Sequence, residues 1–294
     1  MKMNQASNQK LSKGKSRTQD IYMRFLRNKS AIVGLFILAV FVFCALFANV
    51  ICSEELVTLQ DPMIRLQGPS AEHFFGTDAY GRDIFTRAVF GSRISLSVSV
   101  ISVCAAVVIG GLLGAAAAYY GGRLDDLIMR AMDIIAAIPG TLLSLTLMAV
   151  LGTSLVNLTI ALAVSSISGF ARITRSSVLT VVSSEYVEAA RACGTKDLRI
   201  ISRHIIPNAM GPIIVQSTQS IASKIKTAAS LSFIGLGVAP PTPEWGCMLN
   251  EAREYLYIAP HLMIFPGACI ILTALAFNLI GDGLRDALDP RLRD

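Results

Sequence analysis

The chain has 294 residues, 53% hydrophobic and 16% charged, with a mean hydropathy of +0.58. That balance excludes an ordinary soluble domain and points to a polytopic membrane protein. The formal net charge of +6 does not describe a nucleic-acid surface, because the basic residues are divided among separate polar segments.

Residues 1–30 form a basic tail with eight Lys or Arg against one acid, Asp20, and the stretch MKMNQASNQKLSKGKSRTQD is expected to be disordered. Residues 31–51, AIVGLFILAVFVFCALFANVI, carry no charge over the length needed to cross a hydrocarbon core of roughly 30 Å. This is the first expected span. The run exceeds a signal-peptide core of roughly 7 to 15 residues and no small-x-small site follows it. Bulky Ile51 before Cys52 excludes a lipoprotein anchor.

Residues 52–93 make a long polar segment, in which Asp78 and Asp83 are placed to pair with Arg82 or Arg87, or to bond turn amides beside Gly76 and Gly81. A core over 94–285 then holds five more expected spans, at 94–120, 129–151, 155–173, 209–236 and 262–280, before a short C-terminus at 286–294. The expected fold class is therefore an all-α, six-span membrane protein. Gly110 and Gly114, followed by Ala115 to Ala118, should let the second span approach a neighbour closely. Pro139 should kink the third span, and Asp133 lies near its interface. Trp245 reads as an interfacial anchor or an outer-face contact.

Charge asymmetry orients these spans. Residues 172–208 carry six bases against three acids, whereas 52–93 carry six acids against four bases and 239–261 three acids against one base. The positive-inside rule places the tail, the 172–208 loop and the C-terminus in the cytoplasm. Of the six cysteines, Cys44, Cys104 and Cys269 lie in apolar runs and Cys193 in the basic loop, while Cys52 and Cys247 face the other side without a disulfide framework. His73, His204 and His261 have no ligand partner at helical spacing, so no metal site is expected. No nucleophile and base gather on one face either, which gives no catalytic residue.

The loop SSEYVEAARACGTKDLRIISRHIIPNAMGP, 183–212, suggests one helix starting after Ser184 and stopping at Gly194, then a second short helix before Pro207. Glu188, Ala189, Ala190, Gly194, Ile206 and Pro207 resemble, at family spacing, the EAA motif of binding-protein-dependent ABC transporter permeases. His204 and Ile206 depart from the general pattern and look normal for the dipeptide, oligopeptide and nickel branch. FGTDAYGRDIFTRAVFGSRISL, SLSFIGLGVAPPTPEWG and FNLIGDGLRDALDPRLRD resemble C-type permease subunits of that branch.

The resemblance implies a six-helix permease of a bacterial cytoplasmic membrane. Its partners would be a related second permease, two cytoplasmic ATPases docking on the 183–208 loop, an extracytoplasmic solute-binding protein and membrane lipid. ATP and Mg would be bound by the ATPases, since this chain has no GxxxxGK[ST] phosphate loop and no cofactor site of its own. Cargo stays open among dipeptides, oligopeptides, nickel and other chelates. A stand-alone secondary transporter is disfavoured by the lack of a mid-span acid.

The fifth span is the polar one. At about 100° per residue, Gln216, Gln219, Ser220, Ser223, Lys226, Thr227 and Ser230 share a face. That stripe is the candidate wall of a translocation path, with Lys226, Gln216 and Gln219 offering polar contact and positive charge to substrate carboxylates. In the competing reading Lys224 and Lys226 pair with a partner permease. Lys224 sits at the margin of the stripe.

Overall fold

The computed structural model describes residues 17–288, which form twelve α-helices, with a long irregular segment between Ile51 and Ile84. The expected disordered tail lies outside the described residues up to residue 16, as do residues 289–294. Residues 17–20 of that stretch are helical instead, as the start of α1 (Arg17–Arg27), whose Phe25 ring packs against Gly283. Asn28 then caps α2 (Lys29–Leu46) by accepting from the Ala31 amide at 3.2 Å. Its side-chain amide also donates to Asp286 at 3.1 Å, so the first and last described helices meet at one end of the bundle. The apolar run closes with α3 (Ala48–Ile51), and much of α2 leaves Leu35, Phe36 and Phe43 exposed, as a lipid-facing helix does.

Four helices are long and apolar enough to cross a membrane: α2, α4 (Ile84–Tyr120), α7 (Leu155–Val182) and α12 (His261–Leu288). A further candidate is the pair α5 (Gly122–Ala136) and α6 (Gly140–Leu151), which are bent by 79°. The expected kink is thus a break. Pro139 biases Ile138 away from helical geometry, ends α5 and serves as the N-cap of α6, its carbonyl accepting from the Leu143 amide at 2.9 Å. Between α7 and α12 lie α8 (Glu185–Ala192), α9 (Asp197–Ile200), α10 (Ile206–Phe233) and α11 (Trp245–Ala252). At 28 residues α10 matches α7 and α12 in length, but its polar stripe keeps it out of the apolar set.

Three spans outrun their expected ends, the sixth reaching Leu288 rather than 280. The second begins at Ile84 rather than 94, and the fourth continues to Val182 rather than 173. The added turns carry charge, and charge marks the limit of an apolar run without marking the limit of a helix. On α7, Arg175 grips Asp125 of α5 through two bonds of 2.6 Å, and Arg172 meets Asp133 at 2.7 Å.

The tightest crossing joins α4 to α7, as the Gly110 and Gly114 spacing foretold. A Cβ on Gly110 would lie 2.6 Å from the Ile167 carbonyl oxygen, and one on Gly114 would overlap the Ala171 carbonyl. Only glycine permits that approach. Trp245 is neither anchor nor surface contact: it is fully buried, donates its indole N–H to the Ala88 carbonyl at 3.0 Å and sits in a core shared by α4, α10, α11 and α12. A hydropathy reading places aromatic residues at interfaces and has no means of seeing α11 fold back on α4.

Candidate functional site

The 183–208 segment does form a helix pair. α8 opens after Ser184 with Glu185 and Glu188 in its first turn, where negative charge complements the helix dipole. It stops at Gly194, whose φ of +72° suits glycine. There the Thr195 amide bonds the Ala190 carbonyl at 3.1 Å and the Gly194 amide the Arg191 carbonyl at 2.9 Å, the paired bonds of a Schellman cap.

The second helix is not separate. α9 passes through a π-helical turn, Ile201–Ile205, directly into α10, so the backbone is helical without a break from Asp197 to Phe233. π-turns of this kind occur often at functional positions. Ile206 and Pro207 follow that turn at the start of α10: the Ile206 amide bonds back five residues to the Ile201 carbonyl, and Pro207, which has no N–H to donate, sits where the ladder changes register.

Exposure sorts the motif residues. Glu188, Ala189, Gly194 and Pro207 are exposed, while Ala190 and Ile206 are half-buried. Docking onto the bundle comes from residues the motif does not contain. Val187, Ile200 and Ile205 are buried against Val178 and Val181 of α7, Ala115, Ala118 and Tyr119 of α4, and Ala209 of α10. Tyr119 holds both short helices. Its hydroxyl donates to Asp197 at 2.6 Å, and the Arg191 guanidinium lies 4.8 Å from its ring centre. Val187 is the one branched aliphatic residue in EYVEAARA and so is marked in the sequence, whereas nothing local marks Tyr119.

The polar face of α10 closes a cavity of about 300 Å³ against α7. Gln216, Gln219, Ser220 and Ser223 line it from α10, and Ser165, Ser166 and Ser168 from α7. The lysine that enters it is Lys224, whose ammonium donates to Ser165 at 3.0 Å. The marginal lysine of the sequence reading thus reaches across to α7 of its own chain. Lys226 and Ser230 are exposed and lie outside the cavity. A mid-span lysine costs about 2.5 to 3.5 kcal/mol on insertion scales, and an interhelical hydrogen bond returns only about 0.6 kcal/mol. The Ser165 bond alone does not offset the burial, so a polar, hydrated cavity is needed around the ammonium.

The opposite end of the bundle is held by buried charge. Arg82 donates to Asp78 at 2.6 Å and to Glu251 at 2.9 Å, and Arg87 donates to Glu251 at 2.7 Å. Both arginines are 1% exposed. Asp83 caps α4 through the Thr86 amide at 2.7 Å and meets His73 at 3.0 Å. The structural role read for Asp78 and Asp83 holds, and Glu251 of α11 is the partner that spacing did not disclose. Glu244 is buried too, accepting from the Cys247 amide at 2.8 Å. All six cysteines are free; burial pushes the Cys247 thiol up to about 12, with the Glu251 and Glu244 carboxylates adding to it.

Residues 106–294 match the family described as binding-protein-dependent transport system inner membrane component. The chain belongs to this family. Residues 16–69 of the permease match a second description, the N-terminal TM domain of oligopeptide transport permease C. The permease is 47% identical to a dipeptide transport system permease protein of Alkalihalophilus pseudofirmus over 275 residues, covering 94% of this chain and 90% of the relative. It is 45% identical to glutathione transport system permease proteins of Pectobacterium atrosepticum, covering 94% and 91% of the two chains, and of Escherichia coli O157:H7, covering 93% and 90%. Its fold resembles a chain of the inward-facing MetNI methionine ABC transporter, with a TM-score of 0.56 at 18% identity over 69% of this chain and 97% of the other. The permease is a membrane transport subunit and not an enzyme.

Proposed function

We propose that this permease forms half of the translocation path of an ATP-driven importer of dipeptides or oligopeptides. The observation that carries the cargo class is the 47% identity to a dipeptide permease along nearly the whole chain. In this reading the end of the bundle bearing α1, the α8–α9 pair and the C-terminus of α12 lies in the cytoplasm, as the basic residues there favour. Residues 1–30 and 286–294 are then cytoplasmic, and 52–93 faces outward.

The remaining parts of the machine are a related second permease, two cytoplasmic ATPases and an extracytoplasmic binding protein. ATP and Mg belong on the ATPases, since this chain carries no phosphate loop. The exposed residues Glu188, Ala189 and Pro207, together with Ala190, Gly194 and Ile206, form the surface offered to an ATPase cleft. Closure of the ATPases displaces α8 and α9. The unbroken helix from Asp197 carries that displacement into α10 and its polar face, Gln216, Gln219, Ser223, Lys226 and Ser230, which turns outward to receive cargo. Hydrolysis resets it.

Proteoliposomes holding both permeases, the ATPases and the binding protein test this. Dialanine is expected to accumulate only with ATP and binding protein present. Accumulation without the ATPases, driven by an ion gradient, contradicts the reading.

A further inference from the structure

The cavity between α7 and α10 contains a cation with no counter-charge. Neither lining helix carries a single Asp or Glu along its length. The other cations of α7, Arg172 and Arg175, are already paired with Asp133 and Asp125. Lys224 has no ion pair among the described residues, and Ser165 takes only one of the three N–H bonds that an ammonium can donate. Around it stand further donors. Gln216 bonds Ser220 at 3.3 Å, and the Gln219 amide has no hydrogen-bond partner among the described residues.

A concave, polar, donor-rich site of about 300 Å³ lies at the lower end of the size range of small-ligand pockets. Lys224 reaches the cavity from the margin of the α10 stripe. Lys226 is exposed and lies outside the cavity.

We propose that Lys224, with Ser165 and Gln219, forms a carboxylate subsite in this cavity, which binds the free carboxylate of a short peptide on its way through the membrane. This rests on the peptide reading given above and assigns the charge-recognising role to Lys224. Charge-assisted bonds to a carboxylate are about twice as strong as neutral ones, and the uncharged α7 wall offers cargo no competing anion.

The test compares uptake of dialanine and dialaninamide by the complete reconstituted transporter, each at a concentration that saturates the binding protein, so that its own preference cancels between variants. The wild type is expected to favour dialanine. K224M is expected to lower dialanine uptake at least about tenfold while leaving dialaninamide near wild type, and K224R to keep the preference. K224Q, which retains a hydrogen bond to Ser165 without the charge, is the second variant should K224M not assemble, and the same loss is expected. Equal losses for both peptides, or a preference that survives in K224M or K224Q, overturn the subsite and point to a structural or partner-pairing lysine. A wild type that carries both peptides without preference overturns the subsite alone. One that carries neither overturns the peptide reading beneath it.

Discussion

Tyr119 is where the last turn of α4 meets both short helices, and its two contacts can be separated by substitution. Y119F removes the hydroxyl that donates to Asp197 at 2.6 Å and keeps the ring beneath Arg191. The stability loss is expected to be about 1.5 to 3 kcal/mol, the usual range for a bond to a charged group. The functional loss should be larger, because α9 then slides without moving α4. Peptide transported per ATP hydrolysed is expected to fall several-fold in reconstituted Y119F, with ATPase activity retained; an unchanged ratio refutes the role. At the other end, Glu251 is shared by Arg82 and Arg87. E251A leaves two buried guanidiniums with Asp78 alone and is expected to cost about 3 to 5 kcal/mol, the usual range for breaking a buried pair. R87M/E251M restores one cation to one anion and should recover part of that loss, read as a higher unfolding temperature of the purified assembly than E251A shows.

At the scale of elements, the α4–α7 crossing depends on two glycines and is indifferent to a third between them. A Cβ on Gly114 overlaps the Ala171 carbonyl, whereas one on Gly111 meets only the Thr174 hydroxyl at 3.9 Å. G114A is therefore expected to destabilise by about 2 kcal/mol or more through overpacking, and G111A to stay within about 0.5 kcal/mol, both measured by thermal unfolding in detergent. Equal effects would show that the crossing is not as close as described. The spacing of Gly110 and Gly114 made this contact legible without identifying its partner helix. The helix pair of 183–208 was legible for the same reason: capping, glycine and proline signals act over a few residues, and Ser184, Gly194 and Pro207 stand where such signals are strongest. The unbroken path from α9 into α10 was not, since a π-turn leaves no compositional mark in ISRHI.

Across the whole molecule, what the chain disclosed was its apolar runs and their charge asymmetry, and what it withheld was pairing at a distance. Glu251 meets Arg82 and Arg87 across more than 160 residues of sequence, and no local pattern encodes that. The same limit hid the reach of Lys224 into the cavity beside α7. Helical angle orders residues about their own axis, but only the position of α7 decides which of them faces a cavity, and a long side chain such as lysine reaches beyond its own angle. The central claim is that ATPase closure reaches the polar face of α10 through one continuous helix. Inserting two glycines between Ser202 and Arg203 interrupts that helix and leaves the exposed Glu188 and Ala189 surface intact. Uptake and ATP hydrolysis measured together in the reconstituted insertion variant decide the matter. Hydrolysis near the wild-type rate with peptide uptake reduced to background is the expected result, and uptake at the wild-type rate contradicts the account.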